Sequence, residues 1–178
     1  MTLTEAIVVK ISHDLAGGIG AFSNTIDLIK MDADFQQEGL ALLEDTGKML
    51  NARLKFFRAL FGLENKTISM GLVKDYVATL ASPIQLQGKI ASRLQLAMVA
   101  LGIELLGLGG SIAVEGNIVV LEGKEIQSKP AVVQALMGGH IQCAPENVTA
   151  VWLMHLVEES AQHLTFEARG ASLVLRVA

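Results

Sequence analysis

His13 is an imidazole placed where chemistry can reach it. From Val8 to Ile29 the apolar side chains Val8, Ile11, Leu15, Ile19, Phe22, Ile26 and Ile29 recur at steps of three and four, the spacing of a helix buried along one stripe. The stripe is centred near Leu15 and Phe22, and at about 100° per residue His13 points roughly 160° away from it. On that outer face its neighbours Ala6, Gly17, Gly20 and Asn24 are small, and the next residue is an acid, Asp14. Glycine inside a helix costs about 0.5–1 kcal/mol relative to alanine, and this helical segment carries Gly17, Gly18 and Gly20. Close approach of another macromolecule to an exposed imidazole is the simplest reason for such a cost. The competing reading is a surface histidine on a glycine-weakened helix. Two other groupings carry less. His140 and Cys143 have the spacing of half a metal site, but no second Cys/His pair lies nearby and structural zinc takes four ligands, so no metal is expected. His155 and Glu158 share a helix face as a solvated or core-edge pair.

The elements that must position His13 follow from pattern. Thr2 with Glu5 three residues on is a capping box, starting a helix that runs to about Lys30. Asp34 is expected to cap a second helix from Phe35 to Leu63, with Leu40, Leu43, Gly47, Leu50, Leu54, Phe57 and Phe61 on its apolar side and Glu44, Lys48, Arg53, Lys55 and Arg58 on its outer side. Two such helices joined by a few residues form an antiparallel hairpin. One hairpin cannot bury both stripes, so a homodimer closing a four-helix bundle is expected. Glu64-Asn65-Lys66-Thr67 marks a boundary, giving a hairpin unit over 1–65 and a second unit over 66–178.

In the second unit, helices are expected at Ser69–Leu80, Ser92–Leu106, Pro130–Met137 and Glu146–His163. A short strand is expected at Pro83–Leu86. Two hairpins follow: Ser111–Glu115 with Ile118–Glu122 around Gly116-Asn117, and Leu164–Ala168 with Ser172–Val177 across Arg169-Gly170-Ala171. The class is α+β: a long helical hairpin followed by a small sandwich with helices on one face of a mostly antiparallel sheet.

Composition narrows the function. The 178 residues carry a formal charge of −4 with only 4% aromatics, which argues against nucleic acid by electrostatics or base stacking. No membrane span is expected: the apolar stretch Leu94–Leu108 is interrupted by Gln95 and Glu104 and is shorter than the roughly 18 residues required. Glu5, Lys10, His13 and Asp14 break any signal-peptide core. Cys143, the one cysteine, has no intramolecular partner, which fits a reducing cytoplasm. The 51% hydrophobic content fits an oligomer interface.

A helical hairpin with an outward histidine followed by a small α+β unit resembles the layout of sensor histidine kinases, and His13-Asp14-Leu15 resembles their phospho-acceptor motif. Across the whole chain, and in the run from Ser12 to Ala21 and in Arg58-Ala59-Leu60-Phe61-Gly62, the sequence is similar to the ChpT family of alphaproteobacterial histidine phosphotransferases. It departs from kinases at Gly17 and Gly18, which stand where a hydroxyl residue and a proline are common. The polar side chain implicated in dephosphorylating the regulator is thus missing at Gly17. The second unit resembles a degenerate kinase ATP-binding domain. Ala100 falls where the magnesium-binding asparagine belongs and Glu104 where its partner does, and no Asp-x-Gly-x-Gly occurs. Gly107-Leu108-Gly109-Gly110 and Gly138-Gly139 follow helices, whereas a phosphate loop precedes one.

The resemblance implies a phosphoryl relay without ATP. His13 would accept the group through Nε2, with Asp14 taking a hydrogen bond or proton from the ring. Lys10, one turn earlier, and Arg53, opposite His13 in an antiparallel register, would offset phosphate charge. Gly17, Gly20, Ala21 and Asn24 would dock the partner. The implied partners are a hybrid histidine kinase and response-regulator receiver domains that bring their own magnesium. The second unit, keeping the fold without its chemistry, would help to dock the receiver. The alternative from a different class is a non-catalytic dimeric protein that binds a kinase or regulator without carrying phosphate.

Overall fold

The computed structural model describes residues 1–32, 34–62, 68–127, 129–138 and 142–178. The expected boundary at Glu64–Thr67, the end of the second helix at Leu63, and His140 and Gly139 lie outside the described residues. Helix α1 spans Leu3–Met31 and starts on the Thr2/Glu5 capping box. Helix α2 spans Gln36–Phe61 and packs antiparallel to α1. Its cap is not Asp34. Phe35 occupies that position without a side-chain cap, and Asp32 instead accepts from the Asp34 amide.

The second unit runs α3 (Met70–Val77), β1 (Ile84–Gly88), α4 (Arg93–Leu105), β2 (Gly110–Glu115), β3 (Ile118–Gly123), α5 (Pro130–Leu136), α6 (Val148–Glu159), β4 (Leu164–Arg169) and β5 (Ser172–Val177). Every expected element is present. The longest discrepancy is α6, which ends at Glu159 rather than His163, because Ala161 takes a left-handed conformation (φ 52°) and turns the chain into β4. The sheet order is β1-β2-β3-β5-β4, parallel between β1 and β2 and antiparallel elsewhere. The parallel pair follows from the crossover through α4, since parallel neighbours need a long connection. Ile112, Val114, Val119, Leu121, Leu173, Leu175 and Val177 alternate along three strands and are buried in one core with α4 and α6, as period-two patterning dictates.

The two units share this core. Phe56, Phe57, Ala59 and Leu60 at the end of α2 are buried in the same cluster as α4 and α6. Tyr76 of α3 stacks on Phe56 at 3.9 Å between ring centres, and the Trp152 indole N–H donates to the Leu60 carbonyl at 2.8 Å. The glycines after α4 serve a turn: Gly109 (φ +90°) carries the chain from α4 towards β2, and a Cβ there would stand 2.7 Å from the Pro83 carbonyl oxygen.

Candidate functional site

The first half of α1 lies against the second unit, and His13 sits at the rim where that cover ends. Ala6, read from pattern as part of the outer face, is instead fully buried against Cys143 and Val148. One and two turns further on, Lys10 and Asp14 face the same unit, while His13 turns away with its side chain 86% exposed. Its Nδ1 lies 3.3 Å from Asp14 Oδ1. Adjacent helical residues diverge by about 100°, so this contact requires a particular Asp14 rotamer, and the structure has it. Among the described residues nothing bonds Nε2.

Gly17, Gly20, Ala21 and Asn24, about one to three turns further along α1, are all exposed. A Cβ on Gly17 or Gly20 would meet nothing within 4 Å, whereas one on Gly18 would stand 2.6 Å from Leu50 Cδ2 and 3.0 Å from Met49 Cε. The three glycines therefore have two reasons. Gly18 lets α2 approach α1, and Gly17 and Gly20 keep the surface beside the imidazole low. Gly17→Ala is expected to raise stability by about 0.5–1 kcal/mol through helix propensity. Gly18→Ala is expected to lower the melting temperature, because overpacking a closed contact costs about 1–3 kcal/mol. Thermal unfolding of both variants checks this, and a lower melting temperature for Gly17→Ala would contradict it.

Lys10 and Arg53 are both brought to the site, but neither is a free phosphate cation. Lys10 Nζ lies 2.9 Å from Glu104 Oε1 of α4 and 3.4 Å from Asp14 Oδ2. Arg53, assigned by pattern to the outer face of α2, is half-buried. Its Nη1 donates to the Asp14 carbonyl at 2.8 Å, while Nε and Nη2 donate to Thr79 Oγ1 and the Thr79 carbonyl. The antiparallel register did place it at the level of His13. There it clamps α1, α2 and the segment after α3 together. Glu104, matched from sequence to a nucleotide-site position, accepts from Thr149 Oγ1 at 2.8 Å. Ala100 is buried in the core. His155 pairs with Glu159 at 3.3 Å rather than with Glu158. Among the described residues no group of three or more His, Cys, Asp or Glu side chains is placed to hold a metal ion, and no helix is long and apolar enough to cross a membrane.

The buried end of this cluster has a titration signature. Burial, and next the Asp14 carboxylate, push the Tyr76 hydroxyl up to about 12 from an ordinary 10.0. Burial alone would lower the Lys10 ammonium, but Glu104 and Asp14 overcome it and hold Lys10 above its ordinary value. Both groups bind their protons more tightly when folded. Their contribution is therefore complete below the ordinary values and is lost as pH rises through the folded ones. For Tyr76 the effect is about 2–3 kcal/mol. Denaturant unfolding should show stability falling between about pH 10 and 12, less steeply in Tyr76→Phe. Equal slopes for the two proteins would contradict this.

The profile of the histidine phosphotransferase C-terminal domain matches residues 72–172, more than half of the chain. The chain belongs to the ChpT-like histidine phosphotransferase family. It is 23% identical to the protein phosphotransferase ChpT of Brucella abortus (strain 2308), over 93% of this chain and 90% of that protein. Its fold is that of a solved bacterial phosphotransferase, with a TM-score of 0.79 at 20% identity, covering 99% of this chain and 95% of the other. The hairpin and the acceptor motif lie before the matched residues, so His13 stands on the geometry described above.

Proposed function

We propose that this chain is a cytoplasmic histidine phosphotransferase that relays a phosphoryl group between response-regulator receiver domains, with His13 as the acceptor. The observation that carries this reading is the imidazole itself: Nδ1 is on a carboxylate, and Nε2 is open on a face of glycine, alanine and asparagine. A neutral ring with Nδ1–H directed at Asp14 presents its Nε2 lone pair outward. That lone pair attacks the phosphorus of a receiver's aspartyl phosphate. The N–P bond forms as the acyl P–O bond breaks, and the receiver's carboxylate leaves with the electron pair. Asp14 shares the proton remaining on Nδ1, which stabilises the charge that develops on the ring. The reverse steps pass the group to a second receiver. Magnesium bound by the receiver supplies most of the charge stabilisation, so no metal or nucleotide of this chain's own is required. Support for a reaction without ATP comes from the burial of Ala100 and the missing Asp-x-Gly-x-Gly.

The relay works as a homodimer in this reading. Val8 and Ile19 on α1 and Leu40 and Leu54 on α2 are 44–59% exposed. Helical spacing puts them on one side of the hairpin, with His13 on the other side. A second copy would cover that stripe and complete a four-helix bundle while leaving His13 free.

Incubation with a receiver domain carrying labelled aspartyl phosphate tests the reading. Label that moves to this chain and is labile in acid but stable in base is expected, with none acquired from labelled ATP and magnesium alone. Labelling by ATP alone would indicate a kinase, and no label from any receiver would leave an interaction protein.

A further inference from the structure

The contacts of Asp14 reach well beyond His13. Asp14 divides its carboxylate, with Oδ1 at 3.3 Å from the ring and Oδ2 at 3.4 Å from Lys10 Nζ. Lys10 is one turn before Asp14, a spacing at which helical side chains meet. A lysine holding an aspartate on an open helix surface has many rotamers and little fixing power. Here the lysine side chain is only 17% exposed and its ammonium is anchored on Glu104 Oε1 at 2.9 Å. Glu104 is fixed in turn by the hydroxyl of Thr149, which is buried on α6. Arg53 holds the backbone of Asp14 through its carbonyl. The remaining ionisable group lodged beside the cluster is Tyr76, which is neutral until strongly alkaline pH.

We propose that Lys10, Glu104 and Thr149 form a positioning relay through which the second unit sets the His13 tautomer, by holding the Asp14 carboxylate under Nδ1. This deepens the phosphotransfer reading and rests on it. The physical need is specific. Which ring nitrogen carries the proton is set by the hydrogen bond that the other makes, and attack through Nε2 requires the proton on Nδ1. Asp14, as the residue next to His13, lies off the ring's direction by about 100°, so its rotamer must be imposed. Lys10 imposes it from one side. Glu104 keeps Lys10 from closing fully onto Asp14 and drawing the carboxylate off the ring. The family's kinase-like second unit thereby has a task that needs no nucleotide: its α4 and α6 supply the outer links of the chain that ends at the acceptor. Lys10 is a positioning residue in this arrangement, and the phosphate never touches it.

The test uses the full chain with Lys10→Met, Glu104→Gln and Lys10→Arg, and two readouts. Nitrogen-15 NMR of the neutral His13 ring reports the tautomer directly, and transfer from a phosphorylated receiver reports the rate. A dominant Nδ1–H tautomer is expected in the parent chain. It is expected to fall in Lys10→Met, to fall less in Glu104→Gln, and to be largely restored in Lys10→Arg. Transfer should slow in parallel by roughly tenfold for Lys10→Met. Glu104→Gln keeps the size of the side chain and its bond to Thr149, so it reports on the relay even if Lys10→Met fails to fold. An unchanged tautomer in a folded Lys10→Met or Glu104→Gln protein would overturn the proposal. Should the parent chain accept no phosphate, the phosphotransfer reading fails by itself, and the tautomer measurement still decides whether Lys10 positions Asp14.

Discussion

His13→Ala is expected to abolish phosphoryl acceptance completely while leaving fold and assembly unchanged. The side chain is 86% exposed and, among the described residues, its hydrogen-bond contact is to Asp14 on the same helix surface. Truncation therefore removes no packing, and stability should move by less than about 0.5 kcal/mol. Neither of the other described histidines has a carboxylate on Nδ1 with Nε2 left open: His155 holds Glu159 through Nε2, and His163 is bonded to Ala178 through its backbone. Labelling by a phosphorylated receiver, alongside circular dichroism and sedimentation, separates the two statements. Label on a folded His13→Ala protein would remove His13 from its role. Asp14→Asn should slow transfer without eliminating it, because the amide can still lie under Nδ1 but cannot hold its proton.

Ile19→Asp is expected to have the second largest effect, splitting the proposed dimer while sparing the hairpin. Ile19 is 59% exposed within one chain, so an aspartate there meets water in the monomer and costs little. In a four-helix bundle the same carboxylate would be buried without a partner, twice per dimer. Uncompensated burial of a charge costs about 3–5 kcal/mol, and each 1.4 kcal/mol is a factor of ten in affinity. Dissociation at micromolar concentration, with helicity retained, is the expected sedimentation and circular dichroism result. A parent chain that is already monomeric at that concentration would refute the dimer. Phe22 and Leu50 are poorer positions for this test, because both are half-buried inside the hairpin, with Leu50 against Gly18.

Local signals in the sequence were legible and long-range ones were not. The Thr2/Glu5 capping box, the hairpin turn at Gly116-Asn117 and the outward direction of His13 depend on residues a few positions apart, and each appears where spacing put it. Periodicity marks a face as small or polar, but it does not say whether another element covers that face. Spacing therefore puts Ala6 on the open surface around His13, whereas it packs on Cys143 and Val148, and the glycine count alone does not tell that Gly18 serves the contact with Leu50. Antiparallel register alone puts Arg53 at the level of His13, but its partners, Thr79 and the Asp14 carbonyl, depend on how α3 seats against the hairpin. Lys10 and Asp14 at i and i+4 were a readable pair. Glu104 had no local signal pointing to Lys10, since only the packing of α4 beside α1 brings the two together.

The chemistry assigned to His13 depends on Asp14 occupying one ring nitrogen and leaving the other open, and the position of the phosphate on the ring tests that most directly. Phosphorus-31 NMR of the chain after transfer from a phosphorylated receiver distinguishes phosphate on Nε2 from phosphate on Nδ1. A single signal from Nε2-phosphohistidine, absent in His13→Ala, is the expected result. Phosphate on Nδ1, or on a residue other than histidine, would contradict it.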